Sequence, residues 1–133
     1  MKTHRLNIGS NRGRARLWLQ GALLLDAGLT RGTRYDVEYW QNAMPFAETA
    51  QVLIVKRKGG ARKVAGRAQR GSVKDFPIID INTRALDDLC RSGRRRFDVA
   101  EIMPEGSDPH NPDGLTIVLQ SADLDKLTER KSV

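Results

Sequence analysis

The sequence RYDV at residues 34–37 returns as RFDV at residues 96–99, after a shift of 62 positions. A shift of 63 positions places the apolar segment 52–55 on the apolar segment 115–118. Repetition of apolar and polar residues at a nearly constant spacing is the sequence signature of an internal duplication. We therefore predict that the chain consists of two similar halves.

Each half predicts a strand, a short helix and two further strands, in the order β-α-β-β. Alternating apolar residues indicate the strands, as with Tyr35, Val37 and Tyr39 on one face of a strand. A chain of 133 residues is long enough to bury one core, so we predict a single, mainly β domain with short helices. The first half, residues 14–58, has predicted strands at 16–19, 33–40 and 51–57, and the second half, residues 75–120, has them at 76–81, 96–103 and 115–119.

The predicted helices, at 22–27 and 84–90, have recognisable ends. Gly28 stands where a left-handed residue often ends a helix, and Asn82 is a residue type that favours the helix N-cap. The remaining segments are predicted as a loop at 41–50, a thin and mobile basic linker at 59–74, and a C-terminal helix or tail at 121–133.

The net charge of +7 is distributed unevenly along the chain. Residues 1–25 contain five lysines and arginines and no acidic residue, and residues 49–74 contain eight and none. Acid-free tracts of this kind create a positive field that attracts polyanions such as nucleic acid. We expect the two tracts to converge on one face of the folded chain.

Other classes of protein fit the sequence poorly. No apolar run approaches the length of a membrane span, and no hydrophobic signal region follows the basic N-terminus, so a cytoplasmic protein is expected. The single Cys90 excludes an internal disulfide, and no His, Cys and Asp spacing suits a metal. Asp87 and Asp88 are expected to face solvent, and no phosphate-binding loop or catalytic acid–base pair is evident. We therefore predict no enzymatic activity, no cofactor and no metal.

The basic tracts supply the candidate binding residues. The linker is rich in glycine and alanine, so its arginines and lysines could follow phosphates or enter a narrow groove. If residues 7–16 are extended, the arginines of that run lie on one side, together with Trp18, which we expect in the core. The candidates from these two tracts are Arg12, Arg14, Arg16, Lys56, Arg57, Lys58, Arg62, Lys63, Arg67 and Arg70.

A pattern of structural residues covers residues 14–58 and returns more weakly at 76–119: Leu17, Leu19, Gly21, Leu24, Leu25, Ala27, Gly28, Leu29, Gly32, Val37 and Ile54. This pattern resembles the looped-hinge, or swapped-hairpin, family of small β-barrels typified by the regulator AbrB and the toxin SymE. The loop at 41–50 and the linker at 59–74 depart from that family. The resemblance implies a pseudo-symmetric swapped-hairpin β-barrel built from two β-α-β-β repeats, and a DNA face that includes Arg14, Arg16, Arg34, Arg94 and Arg96.

Short family members build the barrel from two chains, so two repeats in one chain would replace obligate dimerisation; a homodimer or a protein partner is left open. We predict a non-enzymatic protein that binds nucleic acid, DNA rather than RNA, mainly through the phosphates of a duplex. A regulator carried by a mobile element or phage fits the size and charge. Two alternatives are a SymE-like toxin acting on RNA or the nucleoid, and an inhibitor of a larger nucleic-acid-processing defence complex.

Overall fold

The computed structural model describes residues 4–41, 49–68, 75–92, 96–103, 108–111 and 114–122. These residues form ten strands and two short helices, so the expectation of a mainly β chain is confirmed. In chain order the elements are β1 (His4–Asn7), β2 (Gly9–Asn11), β3 (Arg14–Gln20), α1 (Ala22–Asp26), β4 (Arg34–Gln41), β5 (Thr49–Lys56), β6 (Arg62–Lys63), β7 (Ala65–Ala68), β8 (Asp75–Ile81), α2 (Arg84–Cys90), β9 (Val99–Ile102) and β10 (Leu115–Gln120).

The strands form two antiparallel sheets. The larger sheet has the order β1-β9-β10-β5-β4-β6, and the smaller has the order β2-β3-β8-β7. Strands β5 and β10 pair at the centre of the larger sheet, and strands β3 and β8 pair at the centre of the smaller one. Both strand orders are symmetric about their centres. Exchanging β1 with β6, β4 with β9 and β5 with β10 reverses the first order, and exchanging β2 with β7 and β3 with β8 reverses the second.

The core follows from the alternation of side chains along the strands. On β3, Ala15, Leu17 and Leu19 are buried, while the residues between them face outward. Leu24 of α1 and Leu86 of α2 are fully buried in the same cluster. Each such leucine contributes roughly 1.5–3 kcal/mol through burial of apolar surface. The apolar residues therefore hold both sheets and both helices on one core.

Helix α1 ends as its sequence predicts. Gly28 has a φ of 72°, in the left-handed region. Its backbone N–H donates to the carbonyl of Leu25 at 3.0 Å, and the N–H of Leu29 donates to the carbonyl of Leu24 at 2.8 Å. This pair of hydrogen bonds is the Schellman arrangement, in which a glycine without a Cβ adopts the left-handed conformation at little cost.

The start of helix α2 corrects one expectation. The helix has the predicted bounds, but its N-cap is Thr83 and not Asn82. The hydroxyl of Thr83 accepts a hydrogen bond from the N–H of Leu86 at 3.1 Å and lies 2.8 Å from the hydroxyl of Tyr39. Thr83 thus caps the helix and also fixes it to β4.

The prediction of a mobile linker at 59–74 is wrong for its described part, residues 59–68. Strand β6 pairs with β4, and strand β7 pairs with β8, so this segment belongs to both sheets. Residues 69–74 lie outside the described residues. The basic segment is therefore held by backbone hydrogen bonds over much of its length.

Two further boundaries differ from expectation. Gln41, Thr49 and Ala50 belong to strands and not to a loop, because the ladder between β4 and β5 continues to the pair Gln41 and Ala50. Strand β9 begins at Val99, since the N–H of Phe97 donates to the carbonyl of Cys90 at 2.8 Å instead of joining a ladder. Residues 42–48 and 123–133, which include most of the predicted loop and of the predicted tail, are outside the described ranges.

The N-terminal run is extended in strands on both sides of a turn and is not one continuous strand. Arg12 and Gly13 both have positive φ, 54° and 78°, and form the turn between β2 and β3. Such a turn matches the twist of a tight hairpin. Arg14, Arg16 and Trp18 still share the outer face of β3, but Trp18 is 38% exposed and does not belong to the core. No helix in the described part of the chain is long and apolar enough to cross a bilayer.

Candidate nucleic-acid interface

A shallow concavity of about 540 Å³ collects most of the cations that surround β6. We call it the basic concavity. It draws residues from the turn before β4, from the end of β5 and the turn that follows, and from β6. In the strand ladders Arg34 lies opposite Lys63 and Tyr35 lies opposite Lys56, so the strand register brings these segments together. Its lining residues are Gly32, Thr33, Arg34, Lys56, Arg57, Lys58 and Lys63.

The turn at residues 57–61 is packed tightly against β4. The N–H of Gly60 donates to the carbonyl of Arg57 at 3.0 Å, and Arg34 Nη1 donates to the carbonyl of Gly60 at 3.1 Å. Asp36 Oδ1 accepts the N–H of Ala61 at 2.8 Å. A Cβ on Gly60 would lie 2.6 Å from backbone atoms of Tyr35. The exposed Lys58 is therefore presented by a fixed turn and not by a mobile linker.

Carboxylates neutralise one member of this group. Arg57 contacts Asp36 and Glu38, each at 3.0 Å, and these contacts raise its pKa. The pKa of Asp36 is lowered, first by the hydrogen bond from the Ala61 N–H and then by Arg57. Within the described ranges, the other cations of the basic concavity, which are Arg34, Lys56, Lys58 and Lys63, form no ion pair with a carboxylate.

Lys56 is held at the end of helix α1. Its Nζ approaches Gly28 so closely that a Cβ on Gly28 would lie 2.8 Å from it. The C-terminal end of a helix carries partial negative charge, which favours a nearby ammonium group. Lys56 is half-buried, so its charge stays near the wall of the basic concavity.

Arg62 lies beside the basic concavity and not in it. It lines a neighbouring groove of about 410 Å³ together with Asp36, Glu38 and Thr83. Burial raises the pKa of the Tyr35 hydroxyl, and the positive charge of Arg62 partly opposes that shift. Because this groove also holds two carboxylates, it is less favourable for phosphates than the basic concavity.

The N-terminal arginines occupy a different place. Arg12 and Arg14 line a pocket of about 390 Å³ with Asn11 and Asn82, at the start of β3. This pocket shares no lining residue with the basic concavity. The two acid-free tracts therefore line separate pockets, and their convergence on one face stays a prediction.

Two other predicted arginines are paired with acids. Arg16 donates to both carboxylate oxygens of Asp80, at 2.9 and 2.8 Å, and its guanidinium lies 4.6 Å from the ring centre of Trp18. Arg96 lies 3.4 Å from Asp87. Arg70 and Arg94 are outside the described residues, as is the side chain of Arg67.

Asp87 corrects the expectation that it faces solvent. Its side chain is only 16% exposed and accepts the N–H of Ala15 at 2.9 Å, in addition to contacts with Arg91 and Arg96. The pKa of Asp87 is lowered, mainly by the hydrogen bond from Ala15. Asp88 is exposed, as predicted. Asp87 therefore joins α2 to β3 and is a structural residue.

The only cysteine of the sequence, Cys90, is buried. Burial raises the pKa of the Cys90 thiol to about 11, so it is protonated and unreactive near neutral pH. Among the residues that the structure describes, no group of three His, Cys, Asp or Glu side chains could hold a metal. The basic concavity is instead lined by lysine and arginine side chains.

Sequence reasoning missed the neutral residues of these sites. Gly32 and Thr33 line the basic concavity, and Asn11 and Asn82 line the pocket beside Arg12. Their positions depend on strand register, for which single residues give no signal. Comparison with protein-family models, with curated proteins and with solved structures finds no match to this chain.

Proposed function

We propose that this chain binds nucleic acid, and duplex DNA in particular, by holding backbone phosphates in the basic concavity. The observation that carries the proposal is the convergence of five cations from three segments, four of them without a carboxylate partner in the described ranges. Phosphate neutralisation by lysine and arginine supplies most of the affinity of such contacts. The preference for duplex DNA rests on the resemblance to the AbrB-like family.

The architecture favours contacts to the backbone over reading of bases. Helices α1 and α2 have five and seven residues, too short to act as recognition helices that fill a major groove. Lysines act as point charges toward phosphate and carry little base specificity. A fixed turn that presents Lys58 loses little conformational entropy on binding. We expect affinity that depends strongly on salt and weakly on sequence.

For the fold, we propose the pseudo-symmetric swapped-hairpin barrel that the resemblance implies. Support comes from the strand order, which exchanges the leading strands of the two halves: β1 pairs with β9 of the second half, and β6 pairs with β4 of the first. The pairs β3 with β8 and β5 with β10 would then lie on the internal two-fold axis. On this basis one chain supplies what two chains supply in the short family members, and the protein acts as a non-enzymatic regulator.

The test is a titration of a labelled DNA duplex by fluorescence anisotropy at several salt concentrations. The double variant Lys58→Gln/Lys63→Gln removes two unpaired charges from the basic concavity. It should weaken binding across unrelated sequences, and the slope of log K against log salt should fall in magnitude by about 1.8.

A matched control separates a site from bulk charge. The double variant Arg84→Gln/Arg91→Gln also lowers the net charge by two, but its residues lie at the first position and the C-cap of α2 and pair with Asp88 and Asp87. It should change affinity much less. Equal losses from both double variants would show that only net charge matters, and an unchanged affinity in the first would remove the basic concavity from the proposal.

A further inference from the structure

The outer face of the smaller sheet carries a second set of groups suited to nucleic acid. Arg14, Arg16 and Trp18 alternate along β3, and all three point away from the core. Asp80 of β8 pairs directly with Trp18 in the ladder and therefore lies on the same face. We call these residues, with the pocket at Arg12, the β3 face. It shares no lining residue with the basic concavity.

The guanidinium of Arg16 lies over the ring of Trp18. Two hydrogen bonds from Arg16 to Asp80 hold the guanidinium, which lies 4.6 Å from the centre of the Trp18 ring. The ring nitrogen of Trp18 donates to Gln20 Oε1 at 2.9 Å, which fixes the ring as well. The side chain of Arg16 is 35% exposed. Unpaired bases stack on aromatic rings and on guanidinium planes, so this pair offers a stacking surface.

The adjacent pocket supplies the complementary charge. Arg12 and Arg14 form no ion pair with a carboxylate in the described part of the chain, in contrast to Arg16. Arg12 keeps a left-handed backbone, a conformation that costs energy for a residue with a side chain and that often marks a functional turn. Two guanidinium groups at the mouth of a small pocket suit a phosphate.

Asn82 adds a polar group to the same pocket. Because Thr83 caps helix α2, the side chain of Asn82 takes no part in capping. Its Oδ1 is buried and has no hydrogen-bond partner among the described residues. A buried acceptor without a partner is unfavourable, so Asn82 gives this pocket an unsatisfied polar group.

We propose that a single-stranded segment of nucleic acid lies along β3, with a phosphate between Arg12 and Arg14 and a base stacked on Arg16 and Trp18. Arg14 and Trp18 are four strand residues apart, roughly 13 Å, which a short run of nucleotides covers. Duplex DNA does not fit this face, because its bases are already stacked and paired. The proposal goes beyond the basic concavity and does not depend on it.

Fluorescence of Trp18 tests the proposal directly. The chain has two tryptophans, and the variant Trp40→Phe leaves Trp18 as the sole reporter. Titration with an oligothymidylate of about ten nucleotides should quench the Trp18 emission, since a stacked base contacts the ring. A parallel titration with oligouridylate of the same length distinguishes DNA from RNA as the preferred strand.

Substitutions on the β3 face should weaken binding of the single strand. Trp18→Ala should raise the Kd measured by anisotropy about tenfold or more, the usual effect of removing one stacking ring. Arg14→Ala should lower both the affinity and its dependence on salt. The matched control is Trp40→Ala, because Trp40 is also an exposed tryptophan, 56% accessible, but belongs to the larger sheet. It should leave the Kd unchanged.

Two results would overturn this inference: Trp18 emission that stays constant at saturating oligonucleotide, or equal losses of affinity in Trp18→Ala and Trp40→Ala. The variant Lys58→Gln/Lys63→Gln separates this proposal from the first one. It should weaken duplex binding and leave quenching by the single strand intact. In the parent chain, duplex binding without any quenching by the single strand rejects the β3 face alone. In the double variant, unchanged duplex binding with intact quenching rejects the basic concavity alone.

Discussion

Gly60 makes a very close backbone approach to β4 in the turn beside the basic concavity. The position of a Cβ there would be 2.6 Å from the carbonyl carbon and oxygen of Tyr35 and 2.7 Å from its nitrogen. All three are main-chain atoms of a strand that is paired on both sides, so they cannot move away locally. This single contact decides whether the turn that presents Lys58 can form.

We expect Gly60→Ala to destabilise the protein by about 1–3 kcal/mol, the usual cost of forcing an extra methyl group into packed structure. Urea unfolding followed by circular dichroism measures the change. The neighbouring Gly59→Ala is the control, because a Cβ at Gly59 meets no atom within 4 Å. It should stay within about 0.5 kcal/mol of the parent chain. Equal effects of both substitutions would contradict the tight packing.

The lowered pKa values of Asp36, Asp87 and Asp108 predict how stability depends on pH. A carboxyl group whose pKa is lower in the folded state than in the unfolded chain stabilises the fold. The stabilisation is fully present at pH values above the pKa of the unfolded chain, about 3.9. That stabilisation is lost as the pH falls through the folded value. We therefore expect the urea midpoint to be constant near neutral pH and to fall steadily below about pH 4.

Asp87→Asn tests the attribution to a named group. The amide keeps an oxygen that can accept from the N–H of Ala15 but has no charge to titrate. The variant should be less stable than the parent at neutral pH and should approach the parent in acid. A constant difference across the whole range would mean that ionisation of Asp87 contributes nothing.

At the level of elements, the two residues before helix α2 have separable roles. Thr83 caps the helix and contacts Tyr39, whereas Asn82 carries an acceptor without a partner. Thr83→Ala should cost about 1 kcal/mol or more in unfolding free energy, the typical loss for a helix cap. Asn82→Ala should cost less, since it removes a buried atom that forms no hydrogen bond. A larger loss of unfolding free energy in Asn82→Ala than in Thr83→Ala, measured by urea unfolding, would indicate that Asn82 is the N-cap.

Elements with their own periodicity could be predicted from sequence. Helix α2 has the expected bounds, and Tyr35, Val37 and Tyr39 pack against the core from one face of β4. Strands β6 and β7 could not be predicted, because they have two and four residues and exist through pairing with β4 and β8. A strand that short carries too few side chains to show an alternation.

Trp18 shows how residue type misled the interpretation. A large aromatic residue suggests the core, but the alternation of Ala15, Leu17 and Leu19 already assigns Trp18 to the other face of β3. The alternation along the strand predicts an outward-facing Trp18 and its residue type predicts a buried one, and the prediction from the alternation is correct. For a strand that is buried on one side only, position in the alternation outweighs the size of the side chain.

The whole molecule joins its two halves within one chain. The ladder between β5 and β10 has six residue pairs and that between β3 and β8 has four, so the central strands of both sheets find their partners internally. We expect the 133-residue chain to sediment with the mass of one chain at low micromolar concentration. A mass of two chains that persists on dilution would contradict this expectation.

The distribution of charge over the folded molecule could be predicted only in part from the sequence. The acid-free tracts supply the cations of the β3 face and, except for Arg34, those of the basic concavity. Their neutralisation could not be foreseen, because Asp36, Glu38, Asp80 and Asp87 come from other segments and reach the arginines only through the fold. The charge that remains unpaired is therefore a property of the tertiary structure.

The burial of Cys90 makes the chain its own reporter of unfolding. This thiol is the only one in the sequence and has no accessible surface in the native state. A maleimide reagent can modify it only in molecules whose core has opened. The labelling rate under native conditions therefore counts opening events without any added probe, and it can be compared between free protein and protein saturated with oligonucleotide. A ligand that binds only the closed form slows the labelling in proportion to its occupancy.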